Sequence, residues 1–271
     1  MRRDMVALLG VVVGAAGGGA QTAHHPGDDM TAVPGGVVVV GTDPAEVPGL
    51  MARFDIAHAG LFAPEVPRRS VRLAGFLIDR HEVTNAEFAA FVRAVPAWSP
   101  DHIRPEAHNG AYLRHWADGR PPAGATNEPV VYVSWYAADA YCRWAGKRLP
   151  TEAEWEHAAR GGLAGEVFPW GEAMPDSTRV NWSGSGIGRP VPVGRYPPTG
   201  YGLYDMAGNV WEYTADPWVE GGGPVRDSTV RRVIRGGSFG GAAVNLRVRY
   251  RDSHPAVGAG PHVGFRCARS G

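Results

Sequence analysis

Helix-start signals crowd into one part of this sequence and then stop. Thr84 with Glu87, and Thr151 with Glu154, have the spacing of a capping box, in which hydroxyl and carboxylate each accept an otherwise unpaired backbone N–H. Phe88, Phe91 and Val92 follow the first box at helical spacing. Ser134 can cap a further helix running towards Trp144, with Gly146 as its left-handed stop. The helix opened by Thr151 ends near Arg160, before Gly161-Gly162, and turns Trp155 to the core. Beyond Gly162 turns recur instead: Phe168-Pro169-Trp170-Gly171, Pro197-Pro198-Thr199-Gly200, Gly221-Gly222-Gly223-Pro224 and Gly236-Gly237. Short apolar runs such as Val230 to Ile234 lie between them as strand candidates, and Val37–Val40 reads as a buried strand. Phe76-Leu77-Ile78 is a further apolar segment. The pattern predicts an α+β domain low in regular secondary structure. The 38 Gly and 23 Pro fit such a body, and nine Trp with nine Tyr supply the apolar mass to order it.

Arg2-Arg3, an apolar run from Met5 to Ala16 and the small residues Gly17 to Ala20 have the layout of a secretory signal. The run is too short to cross a bilayer comfortably. Residues 1–20 are therefore read as a leader, 21–29 as a polar linker and 30–271 as the domain, with no membrane span in the mature chain. The expected destination is periplasmic or extracellular. Lys plus Arg equals Asp plus Glu at 27 each, so no net field recommends nucleic acid. Cys142 and Cys267 are the only two cysteines. Their types leave two options, a disulfide in an exported protein or two buried thiols in a cytosolic one.

Several segments, in order, resemble one family. They are Gly75 to Asn85 (GFLIDRHEVTN), Pro129 to Arg160 (PVVYVSWYAADAYCRWAGKRLPTEAEWEHAAR), FPWG at 168–171, GYGLYDMAGNVWEYT at 200–214, RVIRGGSF at 232–239 and GFRCAR at 264–269. This is the block order of the formylglycine-generating, or sulfatase-modifying-factor, family. The resemblance implies a variant of the C-type-lectin-like fold and a Cys142–Cys267 disulfide. It also implies a calcium loop whose ligands are the Asp205 and Glu212 side chains and the carbonyls of Gly208 and Val210, oxygen donors that suit a hard cation. A second calcium site is implied at Asn181-Trp182, but its acidic ligand falls on Ser185, so it is expected to be weak or empty.

The reactive chemistry does not carry over. The family's copper-binding cysteines match Gly241 and Leu246, and neither residue can replace the soft thiolates that select copper(I). No formylglycine-generating activity is expected. What else could act is a candidate ligand surface of Arg247, Arg249, Arg251, Asp252, His254 and His262: arginines could grip an anion and histidines move protons. The alternation from Leu246 to Arg251 is better read as a half-buried strand. His102, His108 and His115 read as loop residues. Gly236-Gly237-Ser238-Phe239-Gly240 has the Gly-x-Ser-x-Gly string, but no helix pattern follows to make a nucleophile elbow. Three functions fit: a divergent oxidoreductase using iron or copper, a module binding an unknown small molecule or protein, and an accessory factor to an exported enzyme. Oligomeric state is not encoded legibly.

Overall fold

All three capping signals form. In the computed structural model, which describes residues 29–219 and 231–271, Thr84 and Thr151 build complete capping boxes for α2 (Asn85–Ala94) and α4 (Glu152–Arg160). Ser134 accepts the Ala137 N–H at the start of α3 (Trp135–Trp144), and Gly146 lies beyond its end at φ 70°. The leader, the linker up to residue 28, the Gly221–Pro224 turn and Val230 lie outside the described residues. One helix was not foreseen: α1 (Val47–Phe54), with a proline in its first turn and Asp55 at φ 53° closing it.

Among the described residues, three small sheets frame these helices. In the first, β4 (Phe76–Asp79) lies between β1 (Met30–Val33) and β9 (Ala268–Ser270), antiparallel to both. The second is a hairpin of β2 (Gly36–Val40) with β3 (Arg69–Leu73). Here the expectation of a buried strand is corrected. Val38 and Val40 are buried, but Val37 and Val39 are 60% and 47% exposed, because a two-stranded sheet covers only one of its faces. The third has the order β7 (Arg251–Pro255), β6 (Arg231–Arg235), β5 (Trp211–Pro217) and β8 (Val263–Gly264), with β8 parallel to β5. The strand expected from Leu246 is also corrected: Ala243–Leu246 is a 3-10 turn, and pairing begins only at Arg251.

The main core gathers around Phe88. Its ring packs 5.7 Å from Tyr141, 5.4 Å from Phe91, 6.3 Å from Trp116 and 6.1 Å from Phe265, so α2, α3 and the C-terminal segment share one aromatic cluster. Trp155 is fully buried in a second cluster, where a Cβ on Gly236 (φ 92°) would come within 3.1 Å of its ring. Cys142 on α3 is bonded to Cys267, with both residues fully buried. The neighbouring Lys147 ammonium meets the Asp79 carboxylate at 2.6 Å, and Asp79 also accepts the Cys267 N–H at 2.9 Å.

The bridge spans 125 residues of sequence, so it restricts the unfolded chain strongly. Replacing both cysteines by alanine should lower the unfolding free energy by about 4 kcal/mol, measured by guanidinium denaturation. An unchanged midpoint would contradict this assignment of its role.

Candidate functional site

Strand order in the third sheet brings together residues far apart in sequence. The first residue of β5, the middle of β7, the Ser238–Asn245 loop and the Gly260–Val263 segment enclose a cleft of about 430 Å³. Trp211, Ser238, Asn245, Asp252, His254 and His262 line it. On β7 the register sets Asp252 opposite Ile234 and His254 opposite Arg232 of β6.

The structure divides the expected ligand surface in two. Asp252, His254 and His262 line the cleft; the three arginines do not. Arg247 is 2% exposed and grips Glu65 with both terminal nitrogens, at 2.9 and 2.5 Å, with the Phe62 ring 4.8 Å from its guanidinium. Arg249 pairs with Glu46. Arg251 pairs with Glu152 at 2.7 Å. Their expected part in an anion-binding surface is corrected: carboxylates from distant segments, Glu65 and Glu152 buried and Glu46 partly exposed, already hold them. The positions matched to the family's reactive cysteines separate as well. Gly241 is in the cleft wall, whereas Leu246 is fully buried against Phe168, Val180 and Ala207.

The two cleft histidines are held differently. His254 Nδ1 lies 2.7 Å from the Tyr213 hydroxyl, while the His262 ring stacks on Phe239 at 4.4 Å and has its Nδ1 shielded without a partner. Burial lowers the pKa of both, so both imidazoles are neutral near pH 7. Ser238 is followed by turns, not a helix, and its hydroxyl accepts the Gly240 N–H at 3.4 Å. Sequence reasoning missed a second hollow of about 510 Å³ across Pro261, lined by His115, Tyr132, Glu128 and Arg189. Burial pushes the His115 pKa down to about 4, and both its ring nitrogens are shielded without partners.

The expected calcium loop adjoins a buried acidic group. Asp205, at φ 56°, accepts the Gly194 N–H through Oδ2 at 2.7 Å and has a buried, unpartnered Oδ1. Glu82 accepts from Asn209 through Oε1 at 3.2 Å and has an unpartnered Oε2. Burial, then the Asp205 charge, push Glu82 well above the usual carboxylate range; burial raises Asp205 to about 6. Glu212, expected among the calcium ligands, is corrected: Arg266 meets its two oxygens at 2.7 Å each and Trp155 Nε1 donates to it at 2.8 Å, so both are already engaged. Three carboxylates thus surround one guanidinium. A hard cation beside Asp205 and Glu82 would satisfy both orphaned oxygens, so the residues fit one, with Glu82 an unforeseen candidate. Gly208 abuts the second expected site, since a Cβ there would come within 2.3 Å of the Asn181 carbonyl. There the Ser185 hydroxyl donates to Asn181 Oδ1 at 3.1 Å, and Trp182 Nε1 is shielded without a partner.

Glu212→Gln would leave Arg266 buried without its counter-charge. It should destabilise the protein by about 3–5 kcal/mol in urea or thermal melts; a loss below about 1 kcal/mol would contradict the pairing seen here.

Residues 17–271 match the sulfatase-modifying factor enzyme 1-like domain. The chain is 37% identical to the formylglycine-generating enzyme of Thermomonospora curvata, over 88% of this chain and 92% of that one. It is 36% identical to the mouse protein named inactive C-alpha-formylglycine-generating enzyme 2, over 92% and 88%. The solved structure of PvdO from Pseudomonas aeruginosa superposes with a TM-score of 0.67 at 28% identity, covering 89% of this chain and 94% of that one. The chain belongs to the sulfatase-modifying-factor, or formylglycine-generating-enzyme-like, family and has its α+β fold.

Proposed function

We propose that this member of the family holds a ligand in the cleft between Trp211 and His262 and does not make formylglycine. The observation that carries the reading is the cysteine inventory. The chain has two cysteines, and both form the buried Cys142–Cys267 bridge, so the cleft has no thiolate for copper(I). A cysteine at Gly241 would also be crowded, since a Cβ there lies 3.2 Å from the Ser238 backbone. A relative named as inactive, at 36% identity, supports the same reading. The protein is then a ligand-binding or accessory member, exported through its leader, with the bridge forming in an oxidising compartment.

A second reading, a divergent metal-dependent oxidoreductase, is favoured by Asp252, His254 and His262 lining one cavity. Against it, no three His, Cys, Asp or Glu side chains among the described residues are grouped to hold a metal ion. Metal analysis of the purified protein separates the two: stoichiometric iron or copper supports the oxidoreductase, calcium alone the binding protein. A sulfatase-motif peptide incubated with the protein and copper should yield no aldehyde by mass spectrometry, and aldehyde formation would overturn the first reading.

Calcium, on the same proposal, is structural: Asp205 and Glu82 would hold it, with the Gly208 and Val210 carbonyls, and it would supply the charge that their burial requires. Added at a hundred times its dissociation constant, calcium should stabilise the chelated protein by about 2.7 kcal/mol. Asp205→Asn should abolish that melting shift; the absence of both heat and shift in the unsubstituted protein would reject the site.

A further inference from the structure

The arginines expected to attract an anion are paired with carboxylates away from the cleft, and what remains in the cleft has the opposite preference. Among the described residues lining it, Asp252 is the one formally charged side chain, and no Lys or Arg is present. The cations beside the cleft residues are engaged elsewhere: Arg231 donates to the Ser253 hydroxyl at 2.8 Å and to its carbonyl at 2.6 Å. Arg232, opposite His254, donates to the Ala215 carbonyl at 3.1 Å, and Arg251, next to Asp252, pairs with Glu152.

The His254 tautomer follows from its neighbours. The Tyr213 hydroxyl lies 2.7 Å from His254 Nδ1, 2.9 Å from the Gly258 carbonyl and 3.2 Å from the Pro255 carbonyl. A phenol has one proton to give, and carbonyls can only accept. A proton given to the Gly258 carbonyl, with an N–H on Nδ1 donating to the Tyr213 oxygen, satisfies both close contacts. A proton given to Nδ1 instead leaves the phenol oxygen facing two carbonyls with no proton between. The first arrangement puts the lone pair on Nε2. The ring lies against Gly258, where an added Cβ would come within 2.3 Å of Cε1. Burial and the Arg231 charge keep the imidazole neutral, against the pull of the Pro255 carbonyl and Asp252.

We propose that the cleft selects its ligand by hydrogen-bond donors, an ammonium or hydroxyl group accepted by His254 Nε2 and the Asp252 carboxylate, and disfavours carboxylates and phosphates. This rests on reading the cleft as the ligand site and names the class of ligand it takes. Tyr213 is the positioning residue, since it fixes which imidazole nitrogen is the acceptor.

The test uses the full-length ¹⁵N-labelled protein with benzylamine and benzoate, probes of similar size and opposite charge. Imidazole ¹H–¹⁵N spectra near neutral pH should show His254 as the Nδ1–H tautomer. Benzylamine should shift the His254 and Trp211 side-chain signals, benzoate should not, and Asp252→Asn should weaken benzylamine at least about tenfold. Tyr213→Phe should mix the tautomers. An Nε2–H tautomer, or equal shifts from both probes, would overturn donor selection while leaving the cleft a ligand site. Shifts from neither probe would remove the ligand-site reading as well.

Discussion

Arg266 and Glu212 form the interaction on which the rest of this fold turns. Both are fully buried, and removing two charges from water costs several kcal/mol per ion unless nearly every donor and lone pair finds a partner. Here they do. Besides its two bonds to Glu212, Arg266 donates to the carbonyls of Asp79 and Arg80, at 3.2 Å each, and of Tyr204 at 2.9 Å. Trp155 completes the carboxylate from α4. One guanidinium thereby joins the end of β4, the turn before the acidic loop, β5 and the C-terminal segment. In a body with so few ladder hydrogen bonds, buried guanidinium groups satisfy carbonyls that a larger sheet would have paired.

The same device recurs and shapes the cleft indirectly. Arg235 joins Glu156 at 2.7 Å to the carbonyls of Val248 and Arg249, and Arg247 joins Glu65 to the Val244 carbonyl. Each arginine so used holds a loop in place and is lost to the surface. The loop from Ser238 to Tyr250 is therefore pinned from behind by cations, while its front presents glycine, serine and amide groups. Scaffold and recognition divide the residue types between them.

What could be read beforehand follows the range of the forces involved. Thr84, Ser134 and Thr151 were legible because a cap is settled within three residues. Arg247 was not, because its partner Glu65 lies 182 positions away and a periodic pattern cannot reveal it. Alternation suggests a strand from Leu246, yet residues 247–249 bend and turn before β7 begins, because the arginines mimic an alternating pattern while pairing with acids. In the hairpin, the run Val37–Val40 looked wholly apolar, yet only one sheet face had anything to pack against. The bridge and the family came from block order, not from local physics. The cleft was half legible: Asp252, His254 and His262 were named, but the Tyr213 hydroxyl that orients His254 comes from another strand. Glu82 carries no local mark, because nothing in the sequence distinguishes a buried acid from an exposed one.

The first sheet has a consequence for how the molecule can be made. Asp79 at the end of β4 accepts the Cys267 N–H from 188 residues downstream, and β9 flanks β4 on the side away from β1. The centre of the fold is thus assembled from segments that a ribosome delivers far apart in time. Until Cys267 and Arg266 arrive, Glu212 lacks its counter-charge, α3 lacks its bridge and the Phe88 cluster lacks Phe265. The core therefore closes only after residues 264–269 have been made, and before that the Phe88 cluster lacks part of its cover, the kind of apolar surface that promotes aggregation.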